Sequence, residues 1–269
     1  MSVRRIIRIR PLQNELFGVL HADGTPARGV VMCAPFGEEA KSSYRVFFDF
    51  AEQMAAKGWA ALRFDYYGTG NSSGGFDEFA PSAARDDIRA AIASLRDAGA
   101  HKVGLLGLGL GGTLAFELAA KGECDFLVLW QPIVNGEEFY KLNVKQQLVR
   151  QMLIRAKAQK SEAHGPARTG GGDIIDLDGY PLRKTAADEI RQMNLLKLGS
   201  ASLPPTLLMQ ISFSQNVAPD IQALLGTCHP APQTQCVVCE PFWKRIGSVD
   251  CTPVHDGTLR WLDTLANRD

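Results

Sequence analysis

Short apolar, β-rich runs alternate with amphipathic stretches along most of this chain, and that alternation admits few folds. The runs lie at residues 29–33, 60–64, 103–106, 126–130, 206–209 and 235–239. Helical periodicity falls between them, near 44–57, 82–97, 113–121, 220–225 and 258–266. A strand that returns parallel to its neighbour needs a crossover long enough to hold a helix, so the pattern predicts a mostly parallel sheet covered by helices. Two earlier runs, 6–9 and 16–20, read as a leading hairpin at one edge. The expected architecture is one α/β domain with about eight strands.

With 269 residues at 45% hydrophobic, the chain can bury a core of that size. Lys+Arg and Asp+Glu both number 29, so no net field draws the molecule toward nucleic acid or an anionic membrane. No apolar run approaches the roughly 18 to 20 residues of a membrane span, and the basic start Arg4-Arg5 is not followed by a signal-like apolar region. A cytoplasmic location is the expectation. The six cysteines read as thiols rather than a disulfide framework. Cys236 and Cys239, three apart on a strand, point to opposite faces and suggest no metal site.

One interval breaks the alternation. From 135 to 203 no strand is evident, only a long basic amphipathic helix, a loop through Gly165-Pro166 and 170–172, and a second helix near 185–196. This reads as a helical cap inserted between two parts of a core, 1–134 and 204–269, over the carboxyl ends of the strands where open α/β sheets bind ligands. The basic helix carries Lys141, Lys145, Arg150, Arg155 and Lys157 beside Leu142, Val149, Met152 and Leu153. It is either a docking face for an acidic partner or acyl carrier, or an ordinary solvated face.

Residues 103–118 form a strand, a tight glycine turn and a helix, and two motifs compete for the turn. Gly107, Gly109 and Gly112 satisfy G-x-G-x-x-G, the dinucleotide fingerprint. That fingerprint usually opens a fold and is followed by an acidic residue closing the next strand; here at least four strands precede it and the next strand ends Trp130-Gln131-Pro132. The alternative is the nucleophile elbow, G-x-S-x-G, whose glycines permit a strained turn that holds a nucleophile above the sheet. The residue at the nucleophile position is Gly109, so such an elbow is disarmed.

The sequence resembles the α/β-hydrolase superfamily, in its serine-aminopeptidase-like S33 branch. Asp65-x-x-Gly68-x-Gly70-x-Ser72 matches that branch's turn after the fourth strand, and Cys33-Ala-Pro-Phe36-Gly37-Glu38-Glu39 falls where its oxyanion loop lies. In detail it is most similar to the exosortase A system-associated hydrolase, type 2, through Pro35-Phe36-Gly-Glu38-Glu39-Ala-Lys41, Gly107-Leu-Gly-Leu-Gly111, Trp130-Gln131-Pro132, Gly179-Tyr180-Pro181-Leu182 and Pro241-Phe242-Trp243. The resemblance implies an α/β-hydrolase fold and a hydrolase of the acyl ester, thioester or peptide class. It also implies a setting of exopolysaccharide production and exosortase-dependent sorting.

Such a hydrolase needs Ser, then Asp or Glu, then His, in that order. By the resemblance, the nucleophile position is Gly109, the acid position Gln215 and the histidine position Pro241, and none of the three can serve. The possible substitutes are Glu38, Glu39, Ser72 and His255. Glu38 and Glu39 are either a general base beside the oxyanion loop or acids favoured at the start of a helix near Ser42-Ser43. His255 shares a helical face with Leu259 and Leu262, the pattern of a packed residue; His21, His101 and His164 lie in the hairpin, before a strand and in the cap loop. The backbone N–H groups of Leu110 and Phe36 are the expected oxyanion donors, and Phe36, Gly37, Gly109, Leu110, Trp130 and Gln131 the expected ligand-binding set. The reading is thus a pseudohydrolase that binds a small-molecule, acyl or peptidyl ligand under the cap, without cofactor or metal. The alternatives are an active hydrolase or acyltransferase with a nonstandard site, and a dinucleotide-binding protein.

Overall fold

The leading apolar runs form an antiparallel hairpin, β1 (Val3–Ile9) and β2 (Leu16–Ala22), with Ile6 opposite Val19. Strand β1 is the sheet edge and is mostly exposed; Arg4, Arg5 and Arg8 on it discourage edge-to-edge pairing. The remaining strands are β3 (Arg28–Cys33), β4 (Ala60–Phe64), β5 (Lys102–Leu108), β6 (Leu127–Pro132), β9 (Thr206–Ser212) and β10 (Gln233–Val238). With the hairpin they make one eight-stranded sheet in the order β1-β2-β4-β3-β5-β6-β9-β10, and every pairing from β4 to β10 is parallel. The computed structural model describes residues 3–11, 14–158, 173–177, 179–198, 202–245, 247 and 249–266.

Helices α1 (Glu38–Ala56) and α7 (Thr252–Ala266) cover one face of the sheet, enclosing Met32, Phe47, Phe50, Trp130 and Trp261. Helices α2 (Pro81–Asp97), α3 (Gly109–Ala119) and α6 (Pro219–Thr227) cover the other. Covered on both faces, β4 is buried at all of its positions, Arg63 included. The chain leaves β3 toward β4 on one side and later returns to β5 on the other. The loops after β3 and β5 therefore diverge and open a crevice between them, where doubly wound sheets bind ligands.

The interval from 135 to 203 holds more than helices. Helix α4 (Gly136–Ala158) is followed by a small antiparallel hairpin, β7 (Ile174–Leu177) and β8 (Tyr180–Arg183), then α5 (Lys184–Gln192) and a 3-10 turn at Leu195–Leu198. The wholly helical cap expected from sequence is corrected here. Four-residue strands are too short to leave a period-2 signature, and only Gly179, at φ 92°, marks the turn between them. The loop through Gly165-Pro166, His164 and 170–172 lies outside the described residues. Leu177, Leu182, Ala187, Ile190 and Leu195 belong to the same hydrophobic cluster as the strands and α2.

Candidate functional site

Strand β5 runs directly into α3, with Leu108 extended and Gly109 left-handed at φ 54°. That is the strained strand-to-helix turn of a nucleophile elbow. The flanking glycines serve backbone contact: a Cβ on Gly107 would lie 2.5 Å from the carbonyl oxygen of Gly111, and one on Gly111 would lie 2.3 Å from those of Cys33 and Ala34. Gly109 is different. A Cβ there would meet only Pro35 Cβ at 3.3 Å and the Oε2 of Glu39 at 3.1 Å. Gly109 is the fingerprint glycine that would admit pyrophosphate, and the Glu39 carboxyl beside it is ill-suited to a phosphate neighbour.

Glu39 stands in the first turn of α1, which starts at Glu38 rather than near residue 44, directly after Gly37 at φ 62°. Ser43, expected at a helix start, lies inside the helix and donates to the Glu39 carbonyl at 2.7 Å. Burial pushes the Glu39 carboxyl up to about 7, and the positive charge of Lys244 offsets only part of that. Glu38 faces another way: its Oε2 accepts from the Tyr180 hydroxyl at 2.9 Å, and Lys41 Nζ lies 3.6 Å from its Oε1. Adjacent in sequence, one glutamate supports the hairpin and the other reaches the elbow.

The acid and histidine positions contain other chemistry. Gln215 is exposed in the loop after β9, and Pro241 opens a 3-10 turn at Phe242–Lys244. Gln210 ties that loop down, donating to the Asn216 carbonyl at 2.7 Å while its Oε1 accepts from the Ala218 N–H. Gln131, at φ 43°, accepts from the Ile211 N–H at 2.9 Å and so joins the end of β6 to β9. Between these segments lies a cavity of about 480 Å³ lined by Gln131, Gln210, Ser212, Asn216, Trp243 and Lys244, among other residues. Amides, hydroxyls and one ammonium stand where a carboxylate and an imidazole are expected.

The substitutes are dispersed. His255 is buried on the opposite face of the sheet from α3, stacked on Trp130 at 6.0 Å, with Nδ1 3.2 Å from Gln53 Nε2 and its basicity lowered by burial to about 4. His21 is buried between Glu52 and Arg63. Ser72 braces the turn after β4: its hydroxyl donates to the Asp65 carbonyl at 2.6 Å and accepts from the Phe17 N–H. Trp130, expected to bind ligand, is a core residue instead. It is fully buried, its indole N–H donates to Thr258 at 3.0 Å, and Phe47, Phe50 and Phe242 pack against it. Phe36 and Gly37 line a second cavity, of about 350 Å³, roofed by Phe76 and Tyr180, whose rings lie 4.8 Å apart. Among the described residues no group of three or more His, Cys, Asp or Glu side chains is placed to hold a metal.

The sequence profile of the serine aminopeptidase S33 family matches residues 24–173, from before β3 to the start of β7. The chain belongs to that family. Curated relatives include an acyl transferase of Shewanella hanedai, 29% identical over 132 residues covering 49% of this chain and 42% of that one. An acyl transferase of Aliivibrio fischeri strain ES114 is 26% identical over 105 residues, covering 39% and 34%. The chain thus spans less than half the length of these relatives. Among solved structures, Est1E from Butyrivibrio proteoclasticus with bound ferulic acid superposes with a TM-score of 0.68 at 14% identity, covering 97% of this chain and 99% of that one. The Pyrococcus furiosus esterase Pf2001 gives 0.69 at 13%, covering 98% and 91%. These likenesses show the α/β-hydrolase fold. As an S33-family member, the chain keeps the elbow's backbone and has a glycine at its tip.

Sequence reading missed two partners. Tyr180 falls between the loop through 170–172 and the helix near 185–196, in a segment noted only for its resemblance, and its contact with Glu38 spans 142 positions. That Glu39 reaches the elbow is visible only once α1 starts at Glu38.

Proposed function

We propose that this protein is an S33-family pseudohydrolase that binds an acyl ester, thioester or peptidyl ligand beneath the cap without forming an acyl-enzyme. The single observation that carries the reading is Gly109 at φ 54° at the tip of an elbow, with no histidine among the described residues that line the cavity where the triad partners belong. The N–H groups of Leu110, in the first turn of α3, and Phe36, in the facing loop, are assigned the oxyanion hole. A hole without an attacker leaves a residual acceleration of about 10³ to 10⁴ over water, too little for metabolic turnover. The acyl transferase names of the relatives and the ferulic acid in Est1E favour an acyl ligand. The setting proposed is the cytoplasm of an exopolysaccharide-producing cell, its second part resting on the resemblance to the exosortase-associated type. Lys141 and Lys145 on α4 would meet an acidic partner there, although Lys141 is already within 3.2 Å of Glu137.

A second reading is favoured by the Glu39 carboxylate beside the vacant side-chain position. Near pH 7 a fraction of it is ionised, the condition for a general base. It would take a proton from a water, whose oxygen attacks the carbonyl carbon, and then return that proton to the departing alkoxide, thiolate or amine. Incubation with a fluorophosphonate probe and a panel of short acyl esters tests both. The pseudohydrolase reading expects no labelled serine and no turnover beyond that residual acceleration. Turnover that follows ionisation of a group near pH 7, and that Glu39→Gln abolishes, would establish the second reading.

A further inference from the structure

The cavity beneath Phe76 and Tyr180 contains a charge that the elbow does not use. Arg63 on β4 lines it together with Phe17, Val19, Met32, Phe47 and Tyr44, yet the residue is only 8% exposed. Its Nε donates to His21 Nε2 at 3.1 Å, and the rings of Tyr44 and Phe48 lie 5.0 and 5.2 Å from its guanidinium carbon. The imidazole passes the contact on, its Nδ1 lying 2.5 Å from Glu52 Oε1. Burial lowers the basicity of His21, which keeps the ring neutral, so Nδ1–H donates to Glu52 and the Nε2 lone pair is left for Arg63. Glu52 thus meets Arg63 across a neutral ring, and its carboxylate also lies 3.9 Å from Arg4.

Among the described residues no carboxylate lies within ion-pair distance of Arg63. Asp65 also lines the cavity, but its Oδ2 accepts the Asn71 N–H at 2.9 Å and is held within its own turn; Lys41 lies 3.6 Å from Glu38. A buried guanidinium without a facing anion is costly, and proteins ordinarily pair such a charge. Here the stacking rings and His21 fix its plane, while its two terminal nitrogens make no hydrogen bond to the described residues and stay open to the cavity. A planar fork of N–H donors held in that way matches a carboxylate.

We propose that this cavity binds a carboxylic acid with an apolar body, its carboxylate on Arg63 and its body against the aliphatic and aromatic wall. At about 350 Å³ the space suits a ligand of about a dozen non-hydrogen atoms. The site shares Phe36 and Gly37 with the loop that faces the elbow, so it deepens the proposed function by naming the ligand class: the free acid, or the acid end of a larger acyl ligand.

Calorimetric titration of the full chain with decanoate and 4-phenylbutanoate, each beside its uncharged primary amide, tests this. At least one acid should bind about tenfold or more tighter than its amide, the effect of a charge-assisted contact. Arg63→Gln should erase that preference, while Arg63→Lys keeps part of it. If Arg63→Gln does not fold, Ala40→Phe, which fills the cavity from α1 and leaves the arginine network intact, should abolish binding. Equal binding of acid and amide, no binding of either acid, or a preference that survives in folded Arg63→Gln or Ala40→Phe protein overturns the proposal. Its failure is separable from that of the pseudohydrolase reading, which depends on probe labelling and ester turnover and is indifferent to this preference.

Discussion

At the scale of single residues, Glu39 has the most consequential position. Its neighbours in sequence reveal a helix-start acid, and that much was legible from Gly37-Glu38-Glu39 alone. Its proximity to Gly109 depends on a helix beginning six residues earlier than periodicity suggests and on two loops leaving the sheet in opposite directions. No local pattern encodes either. The raised Glu39 carboxyl also has a thermodynamic signature. Between about 4.5 and about 7 the folded protein holds a proton that the unfolded chain has released, so stability falls as pH rises through that window. The loss is on the order of 1 to 3 kcal/mol for this half-buried group. Asp87, pushed up to about 6 by burial, contributes with the same sign and His255, lowered to about 4, with the opposite one, so the comparison must be differential. In urea denaturation across pH 4.5 to 7.5, the stability of the native protein relative to Glu39→Gln should fall as pH rises; parallel curves would overturn the raised Glu39 carboxyl.

At the scale of elements, the parallel strands and the helices between them were legible because an element buried on both faces, or on one stripe, writes its period into the sequence. The β7–β8 hairpin was not, since four residues per strand carry too few repeats and its stability comes from what it rests on. Its anchor is Tyr180, whose ring faces Phe36 and Phe76 and whose hydroxyl meets Glu38. Tyr180→Phe keeps the ring and removes one hydrogen bond, for an expected cost of about 1 kcal/mol. The loss should appear as faster amide hydrogen exchange in the hairpin, with exchange in β3, β5 and β6 unchanged. Uniform acceleration throughout the sheet would show instead that the hairpin unfolds only with the whole domain.

At the scale of the whole molecule, the fold was readable and the pocket chemistry largely was not. The Ser-Asp-His positions could be matched because they follow strands in a fixed order. Arg63, by contrast, sits inside the apolar run Ala60–Phe64, where an arginine reads as an interruption until His21, Tyr44 and Phe48 are seen around it. The glycine turn is where the global view decides a local question, since its close approaches are to the loop after β3. Nicotinamide and flavin cofactors should therefore leave the melting temperature unchanged at concentrations where a true ligand, at a hundred times its dissociation constant, adds about 2.7 kcal/mol. A stabilisation of that size would restore the dinucleotide reading.

The hydrophobic cluster that runs unbroken from the sheet through Leu182, Ala187 and Ile190 has a kinetic consequence. These residues and Leu177 share the interior of the sheet, so the segment that carries them cannot swing away as a hinged body without breaking that interior. For the acid proposed above, exchange would then depend on local fluctuation of the small hairpin beside the cavity and not on a hinge motion of the whole segment.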